Sequence, residues 1–388
     1  MSCQHQAKAR RDPYVLFFSI GAFSTLMGVA FWPLKNWGML FGNHTSQTHV
    51  FLQIFGFLLS FVIGFLTTAF PRLTETAFLK RFELLSLTLV QLLLIGAILG
   101  QRTIAVYVFF ILNLVLLGRF LLNRFLVRKK PLPMSFVYLP FAFGIGIAGG
   151  LVNLLALSEL SWVNPKWLLI GTHAIYYGFT LFLFLGISGF LVRSILGWEP
   201  RASFVGNFWR LVMATLILLS FAFVGSRFEF YANLVRAILC SVELIMQVQL
   251  YKKPISQKLA AYSLWLSLWM IVLGLWLLVF LDPLYRVDLF HATYLGGVAL
   301  GTLAIASRVV LSHSGYSELL QGKIFKPFAW VVCLLFLALV TRSVAGFLPD
   351  IYYQHLNYAG LFWIVGILIW TFAILKKAFI KKKVQSSL

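Results

Sequence analysis

Charge is what this chain has least of. Only 11% of its 388 residues are charged, against about a quarter in a soluble domain, so an ordinary soluble globular protein is excluded. Acids are scarcest, at 11 against 32 Lys and Arg. Cysteine is rare as well: Cys3, Cys240 and Cys333 stand far apart with no CxxC, which excludes a disulfide framework or a thiolate metal cluster. What fills the chain is apolar residues, 61% of the total. Twelve membrane helices of about 20 residues would use roughly 240 positions, leaving short connections and no large soluble domain. The first 13 residues are polar and basic, and the apolar run after them is too long for a signal peptide and lacks a small-residue cleavage site, so it reads as a retained span.

The expected class is therefore an all-α polytopic membrane protein, a single domain over residues 1–388. Apolar segments lie at about 14–34, 48–70, 83–100, 103–126, 136–157, 167–193, 206–225, 229–250, 259–281, 289–312, 326–347 and 357–376, twelve transmembrane helices that put both termini on one side. The N-terminus (Lys8, Arg10, Arg11), the tail from Lys376 to Lys383 and the five loops on their side hold 22 basic residues; the opposite loops hold five, Lys35, Arg102, Lys166, Arg227 and Arg286. The net charge of +21 thus reads as a positive-inside signal with both termini cytoplasmic, and no nucleic-acid partner is expected.

On that topology the histidines fall into order. His44, His49, His173, His291 and His355 map to the outer side, while His5 and His313 are cytoplasmic. His49, His173 and His291 open the second, sixth and tenth spans, 124 and 118 residues apart. This spacing predicts three pseudo-repeats of four helices, about 14–126, 136–250 and 259–376. In each repeat a glycine follows the histidine, Gly56, Gly178 and Gly296, and an arginine closes the span, Arg72, Arg193 and Arg308. Taken singly, His49 or His291 could be an interfacial residue wetted by headgroups, and His44 and His355, placed in loops, read that way first. His173 lies ~9 Å into apolar helix, where an ionisable group is a functional candidate by default.

A ring of imidazoles suits Fe, Cu, Zn or Ni, and axial His on two facing helices is a standard way to hold haem in a helical bundle. His49, His173 and His291 are accordingly the metal candidates, with His49 and His291 as the axial pair. Haem propionates need cationic partners, and Arg236 and Arg342, each about two turns below the outer surface, are candidate anchors; Arg227 and Arg286, in outer loops, read equally well as snorkelling side chains. Glu243, two turns below Arg236 on the same helix face, is either a proton relay or the counter-ion of an arginine on another helix. Tyr177 shares the face of His173 at i+4. Tyr177 and Glu243 are the candidate catalytic groups.

Residues 289–315, LFHATYLGGVALGTLAIASRVVLSHSG, resemble the C-terminal signature of NnrS proteins: His291 and Ala292 open a helix, Arg308 follows by seventeen residues, and His313 and Gly315 form the His-x-Gly. The run from His49 to Pro71 is similar to that family's second span, and Arg11-Asp-Pro-Tyr to its opening. The resemblance implies a bacterial inner-membrane protein containing haem, of b-type in such a setting, with copper as a further cofactor, that binds, senses or turns over nitric oxide and is linked to protection from nitrosative stress. The chain departs from the family where a second histidine and a glutamate are replaced by Phe51 and Leu52. More distantly, twelve helices with histidines on the second, sixth and tenth resemble the catalytic subunit of haem–copper oxidases and nitric oxide reductases. The seventh span has no histidine pair and the tenth has one histidine instead of two, so a complete second metal centre is not expected.

Two other classes stay open on the sequence. A twelve-helix secondary transporter would show two-fold repeats and polar groups at the midplane, and a haem or copper handling factor would bind the same groups without turnover. Lipid and a small diatomic ligand are the expected partners, with no electron donor indicated, and any enzyme activity would be that of an oxidoreductase.

Overall fold

The computed structural model describes residues 12–39, 46–158, 160, 164–198, 207–256, 258–320 and 324–380. Cys3, His5, Lys8, Arg10, Arg11, His44, Arg201, Lys323 and Lys381–Lys383 lie outside the described residues. All regular structure among the described residues is helical. Ten helices are long and apolar enough to cross a membrane: α1 Pro13–Asn36, α2 Ser46–Thr74, α3 Arg81–Leu99, α4 Thr103–Leu126, α5 Met134–Ala156, α6 Lys166–Ile187, α9 Leu259–Phe280, α10 Arg286–His313, α11 Lys326–Phe347 and α12 Pro349–Ala378. Between them lie α7, Asn207–Ser220, and α8, Glu229–Ser241, which continues as a π-helix over Val242–Gln247. These two fall short of the length or apolarity of the ten, α7 by size and α8 because it carries Arg236 and Glu243 within its run.

The helix ends follow local chemistry. Pro13 stands in the first turn of α1, where its missing N–H costs nothing. The Glu83 carboxylate accepts the Lys80 N–H at 2.8 Å at the start of α3, answering one of the donors a helix N-terminus leaves open. Only Gly100, Gln101 and Arg102 separate α3 from α4, and the turn closes because Gln101 takes a left-handed conformation at φ 55°. α12 begins well before the expected residue 357, so His355 belongs to a helix and not to a loop. The reason is the polar opening Tyr352-Tyr353-Gln354-His355, which hides from a hydropathy window yet suits the membrane interface where amphipathic aromatics gather.

Consecutive helices pack as neighbours, and α12 packs on both α11 and α1, closing the bundle on itself. Three helices are more interior than the rest. In their most apolar stretch 89% of α2 and 67% of α6 and of α10 is buried, against 39–50% for the other seven spans. These are the three that carry His49, His173 and His291. They touch one another: Phe51 and Phe55 of α2 stack edge-on against Tyr176 of α6, and Tyr294 Oη of α10 donates to the Tyr176 carbonyl at 2.9 Å.

Each of the three also leaves α-helical geometry just after its histidine. The π-segments run over Leu52–Leu58, Ala174–Phe179 and Ala292–Ala299, and Gly56, Gly178 and Gly296 all lie within them. A side chain at these glycines would strike a neighbour: a Cβ at Gly56 would come 2.6 Å from Ser24 Cβ of α1, and one at Gly296 would come 2.9 Å from Met270 Cε of α9. Small residues here let the innermost helices be approached closely.

Candidate functional site

The three histidines open onto one cavity of about 400 Å³ at the junction of α1, α2, α6, α10, α11 and α12. Its walls are largely apolar and aromatic, with Trp32, Tyr176, Tyr177, Phe290 and Trp363 among them. One polar chain links three of the wall helices: Trp363 Nε1 donates to Thr25 Oγ1 at 2.9 Å, and Thr25 Oγ1 donates to Gln53 Oε1 at 2.7 Å. That chain ties α12, α1 and α2 together behind the cavity.

His49 and His291 are set in the same way. His49 Nδ1 is 2.8 Å from the Gly28 carbonyl of α1, and His291 Nδ1 is 2.7 Å from the Val287 carbonyl one turn back on its own helix. A carbonyl oxygen can only accept, so each Nδ1 carries a proton, and in the neutral ring Nε2 then keeps its lone pair. Two neutral imidazoles with Nε2 as the open ligand atom are the form in which histidine binds a metal. His173 packs edge-on against Phe290, the residue before His291, with ring centroids 6.1 Å apart.

Of the other expected site residues, Tyr177 and Arg342 line the cavity. Tyr177 Oη stands 3.4 Å from Thr293 Oγ1 of α10. Arg342 is not alone there: it is ion-paired with Asp288 of α10, a buried acid that spacing alone did not single out. Its position three residues before His291 was the available signal. Arg236 and Glu243 are not among the cavity's lining residues, although Arg236 lies within electrostatic reach of His173 and Tyr177 on its wall. Arg236 is buried in α8, its guanidinium 4.4 Å over the Phe221 ring and its Nη2 donating to Asn233 Oδ1 at 2.6 Å; it does not line the cavity. Glu243 pairs at 3.1 Å with Arg210 of α7, an arginine concealed inside an apolar run. Arg286 is the first residue of α10 and pairs with Glu229 at 2.9 Å, so its charge is spent tying α10 to α8.

The residues present suit a haem. Two Nε2 donors from different helices meet the requirement for an axial pair, aromatic and aliphatic walls suit a flat apolar macrocycle, and Arg342 offers guanidinium hydrogen bonds at the edge, shared with Asp288. A separate polydentate metal site is not formed by the same residues: among the described residues no three His, Cys, Asp or Glu side chains cluster as metal ligands.

The chain adopts the fold of a haem–copper terminal oxidase. A cryo-EM structure of such an oxidase, a dimer, aligns over 97% of this chain and 84% of that chain with a TM-score of 0.59 at 14% identity. It is a multi-pass, all-helical membrane protein by its own helices. Within that class the chain belongs to the NnrS family, whose NnrS protein model matches residues 9–381. No curated protein matches it.

Proposed function

We propose that this chain is a haem-binding membrane protein of nitric oxide metabolism, with His49 and His291 as the axial ligands. The observation that carries the reading is the paired setting of the two rings: both Nδ1–H groups are held by backbone carbonyls and both Nε2 atoms are left to one cavity. A bound haem supplies one-electron chemistry and affinity for diatomic ligands. The chain's own residues do the rest. The Gly28 and Val287 carbonyls fix tautomer and ring orientation, Arg342 and Asp288 hold charge at the cavity edge, and the apolar walls exclude water. His173 and Tyr177 border the place where a small diatomic such as nitric oxide is held, and copper is the metal His173 would share in.

The twelve-span topology with three four-helix repeats belongs to the same reading. It is supported by the π-segment and glycine that follow each of the three histidines and by the interior placement of their helices. The basic residues gathered at the end of α4 and just after it, Arg124, Arg128, Lys129 and Lys130, support a reading in which both termini lie on the cytoplasmic side of an inner membrane, with the cavity toward the outer face.

The test is the absorbance spectrum of the purified chain. A Soret band is expected in the wild type and lost in His49→Ala and His291→Ala; haem retained unchanged in both variants would refute the assignment. Metal analysis and EPR of His173→Ala address the second site, where a metal signal identical to wild type would remove His173 from it. Consumption of nitric oxide by the reduced protein distinguishes turnover from a role in haem or copper handling.

A further inference from the structure

Away from the cavity, three buried polar side chains converge from three helices: Tyr138 of α5, Arg210 of α7 and Glu243 of α8. Their exposures are 0%, 5% and 1%. Arg210 Nε donates to Glu243 Oε1 at 3.1 Å, which joins one edge of each group. The remaining edges are less well satisfied: Arg210 Nη1, Glu243 Oε2 and Tyr138 Oη make no hydrogen bond of good geometry, and the Tyr138 hydroxyl faces the Glu243 carboxylate within loose hydrogen-bonding reach. Buried polar atoms are nearly always paired with protein or ordered water, so three such atoms in one place call for a ligand. One donor, one acceptor and one hydroxyl that can do either match the capacity of a single water.

We propose that Tyr138, Arg210 and Glu243 enclose a bound water and together form a proton-exchange site serving the interior of the bundle. A proton reaching the water moves to Glu243 Oε2 while the Arg210 guanidinium stays charged, and its departure restores the carboxylate and the ion pair. The site's place in the fold suits uptake from the face of the basic loops. Tyr138 is the first α-helical residue of α5, a few residues beyond Arg128, Lys129 and Lys130, and Arg210 lies in the first turn of α7.

The site also has a continuation inward. Cys240 is buried about one turn from Glu243 on the same face of α8, within electrostatic reach of both Tyr138 and Tyr177, and Tyr177 lines the histidine cavity. Glu243 itself sits in the π-segment of α8, a geometry that recurs at functional positions. The charged and titratable groups around the carboxylate are Tyr138, Arg210, and on its own helix Cys240 and Arg236. The π-turn Ser188–Val192 of the α6 extension packs on this segment and is followed by Arg193. α9 faces α8 here with Trp276, whose Nε1 donates to Ser241 Oγ at 3.1 Å. The proposal stands without haem, since it concerns protonation of Glu243 alone.

Infrared difference spectroscopy on the full chain in lipid nanodiscs, stepped in pH in H2O and in D2O, reads that protonation directly. A carboxylic C=O band that grows on acidification and shifts in D2O is expected in the wild type, absent from Glu243→Gln and displaced in frequency in Tyr138→Phe. A flat wild-type minus Glu243→Gln difference across the pH range in which both remain folded would overturn the proposal, leaving Glu243 a fixed counter-ion. If Glu243→Gln does not fold, Tyr138→Phe decides: a displaced band supports the site, and an unmoved or missing band overturns it.

Discussion

Arg342 of α11, which lines the histidine cavity, is ion-paired with Asp288, one turn ahead of His291 on α10. Both side chains are about nine-tenths buried. Attraction in such a pair is set against the desolvation of two charges, so its presence says little about net stability, whereas removal of one partner leaves the other charge stranded. Asp288→Ala is therefore expected to destabilise the protein by about 3–5 kcal/mol, with the double variant Asp288→Leu/Arg342→Met recovering most of that loss. Thermal unfolding of the detergent-solubilised chain measures both; a single variant as stable as wild type would contradict the pairing.

Gly28 has two duties in α1: its carbonyl holds His49 Nδ1, and its bare Cα lets α2 approach. A methyl group there would come 2.8 Å from both Gln53 Nε2 and Leu52 Cβ. Gly28→Ala should push α1 from α2 at a cost of about 1–3 kcal/mol and disturb the setting of His49. On the haem reading, the Soret maximum shifts or weakens while far-ultraviolet circular dichroism stays unchanged. An unaltered Soret band would detach Gly28 from the site.

α9 meets α10 most tightly at Gly274, where an added Cβ would overlap Thr293 Oγ1. Thr293 lies in the π-segment of α10 and faces Tyr177 Oη. Overpacking at this point is expected to cost Gly274→Ala about 1–3 kcal/mol, and Thr293→Ser, which removes only the methyl, should leave stability within about 1 kcal/mol of wild type. Melting curves of the two variants provide the comparison.

Outside the membrane spans, Lys130 donates to Glu75 at 2.7 Å on an exposed rim. That hydrogen bond and the lysine charge hold the Glu75 carboxyl below its ordinary value. A depressed pKa stabilises the fold above the unfolded-state value and ceases to do so as pH falls through the folded-state value. Lys130→Ala should therefore lower the melting temperature slightly at neutral pH, and the difference from wild type should vanish in acid. A difference that persists in acid would trace to packing of the lysine stem.

Much of this architecture was legible in the sequence because lipid imposes a simple rule: every spanning backbone must satisfy itself, so long apolar runs are helices. The histidines were legible for the converse reason, since so few ionisable groups remain in the apolar runs. Asp288 was hidden because an acid near a helix start reads as part of a loop, and Arg210 because one arginine does not interrupt a hydropathy window. The reading of Arg236 as a propionate anchor rested on depth alone. Depth says nothing of azimuth, and α8 turns this arginine onto Phe221. The π-segments leave no mark in residue spacing that a search for α-helical periodicity can detect.

Those π-segments bear on how the three innermost helices can change. A π-turn accommodates an extra residue and so rotates everything beyond it by about 100° relative to an uninterrupted α-helix. Each of α2, α6 and α10 is thus a splice of two half-helices with separate phases: a histidine half that addresses the cavity, and a second half that addresses the opposite membrane face. Substitutions that re-aim one half need not re-aim the other, so the cavity-facing side chains and the packing beneath them are two separately adjustable layers of one bundle.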